Sequence, residues 1–504
     1  MASALPRSAP ADQRVDPAAI LGFLDALDRH PGTEMHSLMV VRNGHVVAEG
    51  WWAPYSAGRP QLLYSLSKSF TSTAAAFAQA EGLLDLDDTV ISHFAEFDAD
   101  ITEPRSRAVK LRHVAAMASG HTRDMLAEAV ARDRAEPVRG FLLSPPDREP
   151  GSVFAYSQPC TYTLASIIQR NAGMPLTQYL RPRLFDPLGI GPVGWHTFPP
   201  GREQGFSGLH ARTEDVAKLG LLYLQRGRWE GTQLIPEAWV NEATSQQVAN
   251  PERDSPDWAQ GYGFQFWMSR HGYRGDGAFG QFCVILPEHQ TVVVTTAYTT
   301  SMQAMLDAMW AHLLPGLGAP APDAGAAAPD VGPGAAALDV GPGAAALDVG
   351  AAQDQLAARL ERLALPACQA QPAPASWAPW AGGPFAVTDG APGSQVRPAL
   401  TAVGMAPSDA GWQISLVEAA NALTVPVGAG VWAVSQPTDL RGDTIPVAAS
   451  GGWLDGGTLR AEIIFLETPH RMDITCALPG RTATAVWRHP PLMPSKLQHL
   501  HCPR

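Results

Sequence analysis

The chain has 504 residues, 45% of them hydrophobic and 17% charged, which is the composition of a globular protein with about two or three domains. Its net charge of −12 argues against a nucleic-acid partner, because binding phosphate groups requires a basic surface. No apolar run is long enough to span a bilayer. Residues 1–12 lack the basic and apolar segments of a secretory signal, so we expect a cytoplasmic protein without a membrane span.

The first part of the chain reads as a mixed α/β domain. Asp16 caps a predicted helix that ends near Arg29, and the pair Asn43-Gly44 predicts a hairpin between two short strands. A second helix begins at Ser65, and a mostly helical region follows to about residue 240.

Strand-like segments return over residues 261–267 and 280–298, and a last helix covers residues 302–314. We therefore predict one mixed α/β domain over residues 1–314. Its antiparallel sheet combines strands from both ends of the domain, is flanked by helices and is interrupted by an all-helical subdomain.

A domain boundary is predicted over residues 315–351. A nine-residue unit rich in Gly, Ala, Pro and Asp is repeated there, in segments 325–333, 334–342 and 343–350. Such a unit cannot bury enough apolar surface to offset the entropy of ordering it, so we interpret the region as a linker.

Residues 352–504 have a different pattern. Short strand-like runs cover residues 461–466, 472–476 and 482–487, and turns rich in Gly and Pro separate them. This pattern predicts a C-terminal all-β domain, either a barrel or a sandwich, and we find no catalytic constellation in it.

The five cysteines and the glycine patterns give no sign of a cofactor. The cysteines are widely spaced and odd in number, so we predict buried free thiols. There is no HExxH motif, no cysteine–histidine zinc spacing and no GxxxxGK[ST] phosphate-binding loop. We therefore expect neither a metal ion nor another cofactor.

The most informative motif is the pair Ser65 and Lys68. The chain has only four lysines, yet one of them stands three residues after a serine at the start of a predicted helix. This Ser-x-x-Lys spacing puts both side chains on one helical face. A desolvated ammonium can lose its proton and act as a base, which a guanidinium cannot, so the pair suits an activated serine nucleophile.

Several further segments accompany this pair in a consistent order. They are 63–72, 81–88, 109–120, 149–157, 211–217 and 275–281. Together they resemble the serine hydrolases related to class C β-lactamases, over about residues 35–314. That superfamily includes penicillin-binding DD-peptidases, D-aminopeptidases, family VIII esterases and nylon-oligomer hydrolases. No G-x-S-x-G elbow is present, which disfavours the α/β-hydrolase alternative.

The resemblance implies roles for particular residues. Ser65 corresponds to the acylated nucleophile, Lys68 to the lysine that helps deprotonate it, and Tyr156 to the tyrosine that relays the proton to the leaving group. The backbone N–H groups of Ser65 and Ala278 correspond to the oxyanion hole, and Gly277 would permit close backbone approach.

Two positions depart from the family pattern. The family's second motif is usually Tyr-x-Asn, and here it begins at Tyr156 and has Gln158 in place of the asparagine. We expect Gln158 to contact the substrate with a side chain that is one methylene longer. In the third motif, Gly275-Asp276-Gly277 replaces the Lys-Thr-Gly of families acting on penicillins. The resemblance implies that Asp276 and Gly277 contact the substrate, and Asp276 would repel a substrate carboxylate. Arg274 and His271 are the nearby candidates to compensate.

From these residues we predict a family VIII esterase-like serine hydrolase that cleaves an ester or small amide. The partner is then a small-molecule ester, amide or lactam. One alternative is a β-lactamase or DD-peptidase acting on penicillin-like substrates. A second alternative, from another functional class, is a non-catalytic penicillin-recognising or sensor protein.

Overall fold

The computed structural model describes residues 4–318, 344–369, 371, 377–388, 398–408 and 411–503. The chain divides into two compact units, Met1–Gly50 with Leu63–Arg362, and Trp51–Leu62 with Leu363–Arg504. Most of the predicted linker, residues 319–343, lies outside the described residues. A helix of the first unit begins at Ala344, inside the range that the sequence assigned to the linker.

The α-helices of the described residues are α1 (Pro17–Arg29), α2 (Ser67–Ala80), α3 (Pro104–Arg107), α4 (Leu111–Ala115), α5 (Leu126–Arg132), α6 (Pro137–Leu142), α7 (Gln158–Ala172), α8 (Leu176–Leu180), α9 (Asp186–Leu188), α10 (Thr213–Leu224), α11 (Glu237–Ala243), α12 (Met302–Ala308), α13 (Ala344–Glu361) and α14 (Ala378–Ala381).

The strands of the described residues are β1 (Thr33–Arg42), β2 (His45–Trp51), β3 (Gln61–Leu62), β4 (Gly194–Trp195), β5 (Leu209–Ala211), β6 (Arg228–Trp229), β7 (Thr232–Gln233), β8 (Trp267–Met268), β9 (Tyr273–Gly277), β10 (Gln281–Leu286), β11 (Thr291–Thr299), β12 (Phe385–Val387), β13 (Ala402–Ser408), β14 (Gly411–Glu418), β15 (Asn421–Val427), β16 (Ala433–Ser435), β17 (Val447–Trp453), β18 (Thr458–Phe465), β19 (Arg471–Ala477) and β20 (Thr482–His489).

A six-stranded sheet forms the centre of the first unit. Its strand order is β2-β1-β11-β10-β9-β8, so strands from both ends of this unit lie side by side. β1 and β11 are antiparallel, with Val40 opposite Val293, and the facing valines suit a buried pleated surface. The sheet confirms the predicted α/β class with an antiparallel sheet flanked by helices.

Local sequence explains how the unit begins. The Asp16 carboxylate accepts a hydrogen bond from the Ala18 N–H (2.9 Å) and caps α1, as predicted. Asn43 and Gly44 both have positive φ angles, 49° and 78°, which is the backbone of a tight hairpin turn between β1 and β2. The predicted strand over 261–267 is mostly irregular, because β8 begins only at Trp267.

The second unit contains a nine-stranded sheet with the order β15-β14-β13-β12-β20-β19-β18-β17-β16. Gly428, which follows β15, donates to the Ala449 carbonyl (3.1 Å) and accepts from the Gly451 N–H (2.9 Å) on β17. The two edges of the sheet therefore meet, and the predicted all-β domain is a nearly closed barrel rather than a sandwich.

The described residues hold no group of three or more His, Cys, Asp or Glu arranged to bind a metal ion. All five cysteines are free and buried, as predicted. Within the described part of the chain, we find no helix with the length and apolarity needed to cross a bilayer.

Candidate active site

Ser65 lies in a short turn that leads directly into α2. Residues Tyr64–Leu66 form a single 3₁₀ turn, and the α-helix continues from Ser67. The Ser67 hydroxyl donates to the Tyr64 carbonyl (2.6 Å) and accepts from the Leu209 N–H (3.0 Å), which fixes this turn against β5. Tyr64 has a φ of 49°, an uncommon backbone conformation for a bulky residue, immediately before Ser65.

Lys68 is buried, with 1% of its surface exposed, and contacts three oxygen atoms. Its Nζ lies 3.0 Å from Ser65 Oγ, 2.7 Å from Gln158 Oε1 and 2.8 Å from the Phe206 carbonyl oxygen. Burial lowers the pKa of Lys68 to about 7, although the nearby carboxylates of Asp124 and Asp276 oppose the shift. A substantial fraction of Lys68 is therefore uncharged at neutral pH.

Tyr156 is half-buried beside the same pair. Its ring centroid lies 4.8 Å from Lys68 Nζ, and its hydroxyl forms a hydrogen bond with Ser65. Burial raises the pKa of Tyr156 above its usual value of 10, and the charge of Asp276 adds to this effect, whereas the hydrogen bond to Ser65 opposes it. The phenol consequently stays protonated where Lys68 titrates.

Gln158 is the first residue of α7, and its longer side chain reaches Lys68. While Oε1 accepts from Lys68, the backbone N–H of Gln158 donates to Oδ1 of Asp124 (2.9 Å). The predicted second motif, Tyr156 and Gln158, is thus brought together with Ser65 and Lys68.

The third motif lies at the end of β9, against the turn that carries Ser65. A Cβ atom at Gly277 would lie 2.0 Å from the Leu63 carbonyl oxygen, and one at Gly275 would lie 2.4 Å from Leu66 Cδ1. Glycine has no Cβ and therefore permits this close approach of the two backbones. As a result, Ala278, the residue after β9, lies at the end of a strand that is packed beside Ser65.

Asp276 and Arg274 form a buried ion pair on β9. The Nε and Nη2 atoms of Arg274 both lie 3.1 Å from Asp276 Oδ2, and Arg274 Nη1 donates to the Asp257 carbonyl (2.7 Å). Arg274 also stacks on the Trp258 ring, with 4.3 Å from Cζ to the centroid. Because its guanidinium is 0% exposed and engaged, it is not free to bind a substrate carboxylate. The other candidate, His271, is exposed and packs edge-on against Trp310.

An aromatic wall borders Tyr156. The Trp267 ring stacks on Tyr156 at a centroid distance of 5.2 Å, and Phe154 and Tyr262 both pack edge-on against Trp267. The exposed Arg253 lies over the Trp267 ring, 5.5 Å from its centroid. The sequence left Trp267 and Tyr262 without an assigned role, because a core aromatic and a pocket aromatic look alike in a sequence.

Two further contributions to the site also went unpredicted. The Phe206 carbonyl is a backbone atom, so no side-chain pattern could reveal its contact with Lys68. Asp124 lies in an exposed loop 34 residues before Gln158, and nothing in its local sequence distinguishes it from other surface acids.

Comparison with solved structures finds several similar chains, two of which are described as hydrolases. A putative 6-aminohexanoate-dimer hydrolase from Bacillus anthracis aligns with 22% identity and a TM-score of 0.52, over 63% of this chain and 89% of that chain. EstCE1, described as a hydrolase with promiscuous acyltransferase activity, aligns with 19% identity and a TM-score of 0.47, over 60% and 100% of the two chains. A structure of SurE aligns with 18% identity and a TM-score of 0.49, over 90% and 94%.

The family model described as Beta-lactamase matches residues 24–317, which include Ser65, Lys68, Tyr156 and the third motif at the end of β9. Since this match covers more than half of the chain, the protein belongs to the beta-lactamase family and is a serine hydrolase.

Proposed function

We propose that the protein hydrolyses an ester or a small amide through a covalent acyl-enzyme on Ser65. The observation that carries this proposal is the arrangement of oxygen atoms around Lys68. An uncharged amine has two N–H bonds and one lone pair. Gln158 Oε1 and the Phe206 carbonyl can accept the two N–H bonds, which directs the lone pair of Nζ at Ser65 Oγ, 3.0 Å away.

The pKa values of Lys68 and Tyr156 indicate which group carries the proton at each step of the reaction. Lys68, whose pKa is about 7, takes the Ser65 proton as Oγ attacks the carbonyl carbon. Tyr156, whose pKa is raised by burial, remains a phenol and passes a proton from Lys68 to the departing oxygen or nitrogen. The bond to the leaving group breaks, and an ester of Ser65 remains. Water then attacks this ester with Lys68 again as base, which releases the acid and restores the serine hydroxyl.

The backbone on either side of the site supports an oxyanion hole. The N–H groups of Ser65 and Ala278 belong to the turn and the strand end that Gly277 brings into contact. Two N–H donors held by rigid backbone can stabilise the negative oxygen of a tetrahedral intermediate without rearranging.

The charges near Ser65 favour an uncharged substrate over a penicillin. The third motif contains no lysine, and the arginine directly before it, Arg274, is buried against Asp276 and is not available to bind a carboxylate. Asp276 and Asp124 are the negative groups whose charges act on Lys68. A substrate that carries a carboxylate next to its scissile bond would therefore be repelled.

The test compares p-nitrophenyl butyrate hydrolysis by the wild type, Ser65→Ala and Ser72→Ala, together with labelling by a fluorophosphonate probe. Ser72 is a buried serine on the same helix and serves as the matched control. We expect hydrolysis and labelling in the wild type and in Ser72→Ala, and neither in Ser65→Ala. Unchanged hydrolysis by Ser65→Ala would remove Ser65 from the mechanism.

The same preparations distinguish the alternatives. Turnover of nitrocefin with a higher kcat/KM than the butyrate ester would make the protein a β-lactamase. A folded wild type that neither hydrolyses an ester, an amide or nitrocefin nor reacts with the probe would support the non-catalytic alternative.

A further inference from the structure

Asp124 is an exposed acid that lies against the second motif. Its Oδ1 atom accepts hydrogen bonds from the Gln158 N–H (2.9 Å) and from the Leu126 N–H (3.2 Å). Among the described residues, no lysine or arginine forms an ion pair with it. Asp124 therefore binds the N-terminus of α7, although it lies in a separate loop that is part of neither α7 nor α2.

This contact is linked to Lys68 through one residue. The Gln158 backbone donates to Asp124, and the Gln158 side chain accepts from Lys68 Nζ at 2.7 Å. A displacement of the first residue of α7 by about 1 Å would move Oε1 beyond hydrogen-bond distance of Nζ. A carboxylate at a helix N-terminus is also favourable for the helix itself.

The negative charge of Asp124 also acts directly on Lys68, in addition to the contact through Gln158. The groups whose charges act on Lys68 are Asp124, Asp276 on β9 and Cys160 on α7, and Tyr156 lies beside it. Asp276 is partly neutralised by Arg274, and burial raises the pKa of the Cys160 thiol to about 11. Asp124 is thus the carboxylate near Lys68 that forms no ion pair among the described residues, since the neighbouring Arg123 pairs with Glu128.

We propose that Asp124 is a positioning residue of the hydrolase site, which fixes Gln158 and through it Lys68, and whose negative charge favours the ammonium form of this lysine. The inference rests on the proposed function for its catalytic meaning, although its effect on Lys68 can be measured without any substrate.

Asp147 provides a matched control on the same part of the chain. Its Oδ2 atom accepts from the Thr122 N–H (2.9 Å) and hydroxyl (2.8 Å), and its charge acts on His121 rather than on Lys68. It is exposed like Asp124, so Asp147→Asn and Asp147→Ala remove an equivalent charge and an equivalent set of hydrogen bonds.

The experiment uses the full chain with lysine isotope-labelled at its ε-carbon and follows its titration by NMR. The chain has four lysines, and Lys68→Arg identifies the signal of Lys68. We expect a pKa near 7 in the wild type. Asp124→Asn keeps an acceptor oxygen but removes the charge, and should lower the Lys68 pKa by about half a unit, since an exposed carboxylate is screened by solvent. Asp147→Asn should leave the titration unchanged.

Kinetics on p-nitrophenyl butyrate provide the second readout. In Asp124→Asn the acid limb of kcat/KM should move to lower pH by the same amount, whereas kcat at high pH should stay within about twofold. Asp124→Ala also removes the acceptor and should lower kcat at high pH by about tenfold. Both Asp147 variants should keep the wild-type profile.

The outcomes separate the two proposals. If the wild type shows no Ser65-dependent hydrolysis but Lys68 still titrates lower in Asp124→Asn alone, the proposed function fails and the link from Asp124 to Lys68 stands. If hydrolysis depends on Ser65 but the Lys68 titration is the same in Asp124→Asn as in the wild type, or shifts equally in Asp147→Asn, Asp124 is not a positioning residue.

Discussion

The backbone of Gly277 runs so close to Leu63 that a Cβ at position 277 would lie 2.0 Å from the Leu63 carbonyl oxygen and 3.1 Å from the Leu66 nitrogen. Both neighbouring atoms belong to backbone, which cannot rotate away as the end of a side chain can. Any side chain at this position would therefore push β9 away from the turn that carries Ser65.

Replacing Gly277 by alanine should separate the two proposed oxyanion donors. We expect kcat for p-nitrophenyl butyrate to fall by about 100-fold, which is the usual effect of losing one oxyanion donor. Gly350→Ala is the control, because a Cβ at this exposed helical glycine has nothing within 4 Å. A Gly277→Ala variant with a wild-type circular dichroism spectrum and wild-type kcat would show that the spacing of these segments does not matter for turnover.

The pH dependence of hydrolysis should report the buried lysine. An ammonium cannot accept the Ser65 proton, so activity requires the uncharged form of Lys68, whose pKa is about 7. We expect kcat/KM to rise about tenfold per pH unit below this value and to level off above it. Tyr156 has a pKa raised by burial, so no loss from its ionisation should appear below about pH 9. A profile that is flat across pH 5 to about 8 would contradict Lys68 as the base.

Lys68→Arg should abolish most activity even though it retains a cation. A guanidinium keeps its proton at any working pH, so it cannot take the proton of Ser65. We expect kcat/KM to fall by about 1,000-fold, within the range for loss of a general base. Lys218→Arg is a matched control, because burial also lowers the pKa of Lys218, but its Nζ donates to the Gly189 carbonyl. Equal losses in both variants would point to instability rather than to chemistry.

The residues that the sequence identified are those whose side chains belong to a short, ordered motif. Ser65 and Lys68 lie one helical turn apart, so their proximity follows from local geometry alone. Gln158 was recognised as a substitution in its motif, but its contact with Lys68 depends on how α7 packs beside α2, which no local pattern encodes.

The charges of the site were harder to predict from sequence than its motifs. Arg274 and Asp276 are two residues apart on a strand, so they lie on the same face, and the ion pair between them could have been expected from that spacing. Asp124 and the Phe206 carbonyl come from separate loops, where only the tertiary fold brings them to the second motif and to Lys68.

Trp453 belongs to the hydrophobic core of the barrel in the second unit. Trp453 on β17 is 3% exposed, and its ring centroid lies 5.0 Å from that of Trp377 and 5.5 Å from that of Trp412. Its indole N–H is buried and has no hydrogen-bond acceptor among the described residues. Trp453 therefore contributes through apolar packing rather than through hydrogen bonding.

Trp453→Ala should leave a large cavity and lower the free energy of unfolding of this unit by about 3 to 5 kcal/mol. Trp453→Phe should cost less, about 1 to 2 kcal/mol, because it keeps most ring contacts and removes a buried donor that lacks an acceptor. Leu454→Ala, at a neighbouring residue that is 45% exposed, should change the free energy by less than about 0.5 kcal/mol. Urea denaturation followed by far-ultraviolet circular dichroism measures all three. If Trp453→Phe were as destabilising as Trp453→Ala, the indole N–H would have to be satisfied in solution, which would contradict packing as the main contribution of Trp453.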